Sequence, residues 1–126
     1  MVILDTCAII EINKIKPQLS NKTLDKIEKG AYILSISFAE IACKMKAGKL
    51  TMNLTADDLY SNFLQIPTID IIKIGVEEWL ESIDLDWDDN RDPADRLIVT
   101  FAKRKKIPII TSDKKIKSFY KQVIWR

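Results

Sequence analysis

Five short stretches of this chain are apolar without the polar alternation of a half-exposed sheet: VIL at 2–4, YILS at 32–35, IDIIKI at 69–74, IPIIT at 107–111 and QVIW at 122–125. Successive side chains of a strand point to opposite faces, so a strand that is apolar throughout is covered on both. The segments between the stretches carry helix signals. Ser20 caps NKTLDKIEK, which Gly30 stops. Ser37 and Glu40 have capping-box spacing at the head of a helix that ends at Gly48. Thr55 caps a helix whose apolar face is Leu59, Phe63 and Leu64. A short helix over 8–13, VEEWLESI at 76–83, a helix over 93–104 and DKKIKSFY at 113–120 complete the alternation. The pattern predicts an α/β protein in three layers, α/β/α, with a central five-stranded parallel sheet. The length of 126 residues suits a single domain over 1–126, with no repeat, linker or low-complexity segment.

Composition narrows the chemistry. Histidine is absent, which excludes a Ser/His/Asp triad, a Cys/His pair and paired-histidine acid–base catalysis, and argues against zinc. Cys7 and Cys43 lack metal-type spacing and are too few for a disulfide framework, so a reducing, cytoplasmic setting is expected. The opening MVILDT has no basic n-region and no small-residue cleavage site. No apolar run approaches the roughly 18 residues of a membrane span, so no membrane partner is expected. Hydrolysis in such a chain falls to carboxylates, lysines or a metal held by oxygen. The net charge of +2 is unevenly spread: nine acids and one base lie from Glu77 to Asp95, and ten bases and one acid, Asp113, from Arg96 to Arg126.

In a parallel sheet covered on both faces, ligands bind beyond the carboxyl ends of the strands, where the following helices begin. Asp5 follows the first strand, and Glu40 is expected in the first turn of the helix after the second. Asp95 falls in the first turn of the helix leading into the fourth strand, and Asp113 just after that strand. These acids, from separate segments, are expected along one edge. Acids at helix starts are favoured by about 0.3–1 kcal/mol each through the macrodipole, so any one of them alone also reads as a cap. In NRDPADRLIV, at 90–99, Asp92 with Pro93 behind it suits an N-cap. Asp95 then stands at N3, able to close a capping box or to face the sheet edge. We assign Asp92 to structure and Asp95 to chemistry.

Gathered acids need a counter-charge. Two unit charges about 4 Å apart repel by roughly 4 kcal/mol at an effective dielectric near 20. Oxygen-only ligation suits Mg²⁺ or Mn²⁺, ions that bind phosphates and activate water without histidine. Basic residues fit a phosphodiester substrate: Lys44, Lys46 and Lys49 follow Glu40, and Arg96, beside Asp95, is expected to touch a phosphate. Lys103, Arg104, Lys105 and Lys106 close the same helix, a helix length away from Asp95 and too far for a direct role. Thr6, Ser37, Thr111 and Ser112 can orient waters or ligands, or serve as ordinary turn and cap residues. Phe38, Phe63, Trp79 and Phe101 read as core, which leaves Trp87 as the one candidate for an exposed stacking ring.

Four stretches in order, ILDTCAII, SISFAEIACKMKAGKL, NRDPADRLIV and IPIITSDKKIKSF, span nearly the whole chain. In them the sequence resembles the PIN-domain ribonucleases, in particular the VapC-like toxins of bacterial and archaeal toxin–antitoxin pairs. The resemblance implies an endoribonuclease dependent on Mg²⁺ or Mn²⁺, with Asp5, Glu40, Asp95 and Asp113 as its acidic cluster. It also implies a PIN-like sheet of order 3-2-1-4-5, a homodimer, and a cognate antitoxin whose tail covers the site. Asp5 and Asp95 are the expected direct metal ligands, with Glu40 and Asp113 completing the shell or acting through water. Thr6, Lys44, Arg96, Thr111 and Ser112 are the expected contacts to RNA. Relatives often carry histidine where Cys7 and Asn90 stand, and an aromatic where Ala94 stands.

Two other readings compete. A receiver-like phosphoacceptor domain also places acids and a Mg²⁺ ion on a parallel sheet edge, but this chain lacks the paired acids after strand one and an acid ending strand three. A non-catalytic binding module would use the same acids merely to cap helices.

Overall fold

The computed structural model describes residues 1–126. β1 (Val2–Leu4), β2 (Ala31–Leu34), β3 (Ile69–Ile72), β4 (Ile109–Ile110) and β5 (Val123–Ile124) form one sheet of order β3-β2-β1-β4-β5, with every neighbouring pair parallel. This is the architecture and the order expected. The helices are α1 (Thr6–Ile12), α2 (Asn21–Glu28), α3 (Ile36–Lys46), α4 (Ala56–Leu64), α5 (Val76–Ile83), α6 (Pro93–Lys105) and α7 (Lys114–Phe119). None is long and apolar enough to cross a membrane.

Strand alternation explains the sequence pattern. Val2 and Leu4 of β1, with Ala31 and Ile33 of β2, join a core made with Ile9, Ile27, Ile41, Leu59 and Phe63 of α1 to α4. Ile3, Leu34 and Ile109 join the other core, against Leu97, Ile98 and Phe101 of α6 and Ile116 of α7. Both sets of side chains are apolar because both faces are covered. Burying one such side chain fully contributes about 1.5–3 kcal/mol. α6 is the most deeply set helix, buried at Ala94, Asp95 and every position from Leu97 to Ala102. The helix that carries Asp95 is therefore held on the sheet by packing along much of its length.

Local signals explain most of the boundaries. Ser20 accepts a hydrogen bond from Thr23 N, and Thr55 closes a capping box with Asp58. Asp92 caps α6, accepting from Ala94 N and Asp95 N, with Pro93 at the first helical position. Gly48, at φ +74°, ends α3 in the left-handed region that glycine enters without strain. β4 is shorter than the apolar run IPIIT because Pro108 has no N–H to give a ladder; only its carbonyl serves, accepting from Ile3 N at 3.0 Å.

Several expectations need correction. α3 starts at Ile36, so Ser37 lies inside it, fully buried, and the capping box with Glu40 does not form. Ser35, the residue before α3, instead accepts from Ile74 N at 3.1 Å. Leu64 is 58% exposed and Trp79 37%, so neither is core. Trp87 is the reverse: 3% exposed, with its ring stacked on Phe119 at 4.6 Å between centroids. It pins the acidic loop, residues 84–91, to α7 and presents no face to a nucleic-acid base. The basic end of α6 also has partners of its own. Arg104 pairs with Glu81, Lys103 lies over Phe119, and Lys105 lies over Tyr32 and Phe101.

Candidate metal centre

β1 and β4 are adjacent and parallel, so the residues that follow them emerge side by side. Asp5 follows β1 and caps α1, its Oδ1 accepting from Thr6 N at 2.8 Å. Asp113 follows β4 and caps α7, its Oδ1 accepting from Lys115 N at 2.8 Å. Asp95 comes from the first turn of α6, which packs on both strands. One carboxylate oxygen from each of Asp5, Asp95 and Asp113 lies within 4.8 Å of the other two. Capping and clustering are thus not alternatives here: Asp5 and Asp113 do both. Only Asp95 caps nothing.

Glu40 stands apart from this trio. Because α3 begins at Ile36, Glu40 sits in its second turn rather than its first. It lines the same cavity, of about 410 Å³, together with Thr6, Cys7, Lys44, Asn90, Asp92, Ser112 and Lys115. Its Oε1 accepts from Thr6 Oγ1 at 2.6 Å. Thr111 ties two of the acids together: its hydroxyl donates to Asp5 Oδ2 at 2.6 Å and accepts from Asp113 N at 3.0 Å. The expected substrate contacts Thr6 and Thr111 are therefore committed to holding carboxylates, while Lys44 and Ser112 are exposed at the cavity wall.

Arg96 does not face the acids. Its guanidinium donates to the carbonyls of Ser82, Ile83, Leu85, Trp87 and Asn90 at 2.7–3.1 Å. Every nitrogen is engaged by a main-chain carbonyl of the end of α5 or of the acidic loop, so no donor is left for a phosphate. Sequence reasoning also passed over Lys115, which lines the cavity, and Asn90, which donates to Asp95 Oδ2 at 2.9 Å. The spacing of Asn90 two residues before a capping Asp was the available signal.

The site is electrostatically unfinished. Burial pushes the Asp95 carboxyl up to about 7, helped by the charges of Asp92, Asp5 and Asp113 and opposed by the hydrogen bond from Asn90. Burial likewise raises Asp5, against the hydrogen bonds from Thr111 and Thr6, and raises Glu40, against that from Thr6. The chain's two ion pairs, Lys14–Glu11 and Arg104–Glu81, involve none of these acids. Their hydrogen-bond donors are all neutral: hydroxyls, a thiol, an amide and backbone N–H groups. A donor set of oxygens alone, clustered and uncompensated, fits a hard divalent cation. The three oxygens are close enough together that Asp5, Asp95 and Asp113 would share one such ion.

The sequence profile of the PIN domain matches residues 2–122. The chain belongs to the PIN-domain family. Solved structures share this PIN fold over almost their full length. A toxin–antitoxin complex from Klebsiella pneumoniae aligns at a TM-score of 0.68 and 17% identity, covering 98% of this chain and 96% of that one. VapBC2 from Rickettsia felis, bound to a DNA fragment from their promoter, aligns at 0.68 and 18%, covering 99% and 98%. FitAcB from Neisseria gonorrhoeae aligns at 0.60 and 16%, covering 100% and 97%. At these identities the likeness speaks for the fold alone. No curated protein matches this PIN domain.

Proposed function

We propose that this PIN domain is a metal-dependent endoribonuclease and the toxin of a toxin–antitoxin pair. PIN domains are generally nucleases, and the observation that carries the reading for this chain is the convergence of Asp5, Asp95 and Asp113 without a basic partner. These three would hold Mg²⁺ or Mn²⁺. Such an ion, when bound, offsets phosphate charge and makes water acidic enough to be deprotonated near neutral pH.

The chain's own residues supply the rest. Glu40, held by Thr6 at 2.6 Å, stands at the cavity wall as the base for the attacking water. Burial keeps its carboxyl above the usual range, closer to the pH at which a base works best. Lys44 and Lys115, both exposed at the rim, meet the flanking phosphates, and Ser112 offers a hydroxyl beside them. Thr111 keeps Asp5 and Asp113 in register with each other.

The test is cleavage of a single-stranded RNA, with DNA of the same sequence as control, by wild type and Asp95→Asn. Wild type is expected to cut RNA with Mg²⁺ or Mn²⁺ and to stop in EDTA; the variant is expected to be inactive. A variant that cuts at the wild-type rate ends the reading. The structural neighbours include toxin–antitoxin complexes, which supports an antitoxin as partner. Co-purification with the product of an adjoining small reading frame tests that part. An exposed stripe on α5, with Val76, Leu80 and Ile83 at 72%, 64% and 68% exposure, supports a homodimer. Sedimentation of wild type and Ile83→Glu checks it. The alternatives have less support: Lys73, not an acid, follows β3, and Asp95 caps no helix.

A further inference from the structure

We propose that Asn90 is the positioning residue of the acid trio: it takes over the capping duty that would otherwise draw Asp95 away. The inference rests on the metal-site reading above. α4 provides the comparison within the same chain. There the N3 residue, Asp58, turns back to the N–H of the capping Thr55 at 3.5 Å, and Thr55 accepts from Asp58 N at 3.1 Å. In α6 the N3 residue is again an aspartate, and the same backbone N–H, that of Asp92, is within its natural reach. Asn90 has occupied it: Asn90 Oδ1 accepts from Asp92 N at 2.9 Å.

The other end of the same amide completes the arrangement. Asn90 Nδ2 donates to Asp95 Oδ2 at 2.9 Å and so fixes the carboxylate that stands beside Asp5 and Asp113. Asn90 is 4% exposed, so water does not compete for either bond. Its backbone is fixed in turn by Arg96, whose Nη1 donates to the Asn90 carbonyl at 2.8 Å. Arg96 thus acts on the acids at one remove, by holding the loop that holds Asp95. The choice of an amide follows from the chemistry. One end must accept and the other donate, and the donor must be uncharged, because a cationic side chain would neutralise the carboxylate and compete with a metal ion. Without Asn90, the Asp95 carboxylate at N3 is within capping-box reach of Asp92 N. A side-chain rotation would then restore an ordinary capping box, at the expense of the trio.

The experiment titrates Mn²⁺ alone into the full chain, with free Mn²⁺ read by electron paramagnetic resonance, for wild type, Asp95→Asn, Asn90→Ala and Asn90→Asp. Melting of each metal-free protein by circular dichroism and a crystal structure of metal-free Asn90→Ala accompany it. Both Asn90 variants are expected to lose Mn²⁺ affinity by roughly 10–100-fold, the range for groups that orient metal ligands. Asn90→Ala is expected to show Asp95 turned back to Asp92 N. Asn90→Asp keeps the acceptor for that N–H but replaces the donor by a charged oxygen that repels Asp95, so it displaces the carboxylate even where the alanine variant does not fold. Wild-type affinity in a folded Asn90 variant, with Asp95→Asn weakened, overturns the positioning role and leaves the metal site standing. Wild type binding no better than Asp95→Asn overturns the metal-site reading and this inference with it.

Discussion

Replacing Asp95 by Asn should stabilise the metal-free protein above neutral pH and leave its stability at pH 4 unchanged. The carboxyl titrates at about 7 in the folded chain against an ordinary 3.8. Between those values the folded state binds more protons than the unfolded one, so stability falls as pH rises through the window and stays reduced above it. The gap corresponds to at most about 4 kcal/mol. Water on the open side of the cavity screens part of that, leaving roughly 2 kcal/mol. Asn removes the charge and keeps an oxygen to accept from Asn90. It disturbs no cap, because Asp92 holds α6. At about 3–6 °C per kcal/mol for a chain of this size, Asp95→Asn should melt about 6–12 °C above wild type at pH 8 in EDTA. Mn²⁺ should reverse the order by stabilising wild type alone. A variant that melts no higher than wild type at pH 8, or that gains equally at pH 4 and pH 8, refutes the electrostatic reasoning.

The other expectations are narrower. Arg96→Lys cannot satisfy the carbonyls of Ser82, Ile83, Leu85, Trp87 and Asn90 together, and should lower stability by about 2–4 kcal/mol in urea unfolding, with faster amide exchange across the acidic loop. Thr111→Val strips the hydroxyl from between Asp5 and Asp113 and should lower stability by about 1–3 kcal/mol, while weakening Mn²⁺ binding in the same titration. Lys44→Ala and Lys115→Ala should leave the melting temperature unchanged and each reduce the slope of log RNA affinity against log salt by about 0.7, measured by fluorescence anisotropy.

The framework of this PIN domain is readable because its signals are local. Four of the five strands are continuous apolar runs, with only the edge strand β3 interrupted by the exposed Asp70, and Ser20, Thr55 and Asp92 mark helix starts through bonds made within three residues. Asp5 and Asp113 follow from the same logic, since a residue leaving a parallel strand at its carboxyl end must emerge at the shared edge. What stayed hidden depends on distant or backbone partners. Arg96 reads as a free cation because its partners are main-chain carbonyls, which no side-chain pattern reveals. Trp87 reads as exposed because its burial waits on Phe119 of α7. Glu40 lines the same cavity as the trio, but from the second turn of α3 and not from a capping position, because the helix starts one residue before Ser37. Asn90 sat in the motif that pointed to Asp95, two positions before the cap, and its amide bridges the two aspartates.

Crystals of the full chain soaked in Mn²⁺, with anomalous differences recorded at the manganese edge, bear most directly on the proposed cation site. The account predicts a manganese peak within about 2.2 Å of carboxylate oxygens of Asp5 and Asp95, with Asp113 beside it directly or through water. Manganese bound instead along the acidic loop from Asp84 to Asp89, or nowhere on the protein, would contradict it.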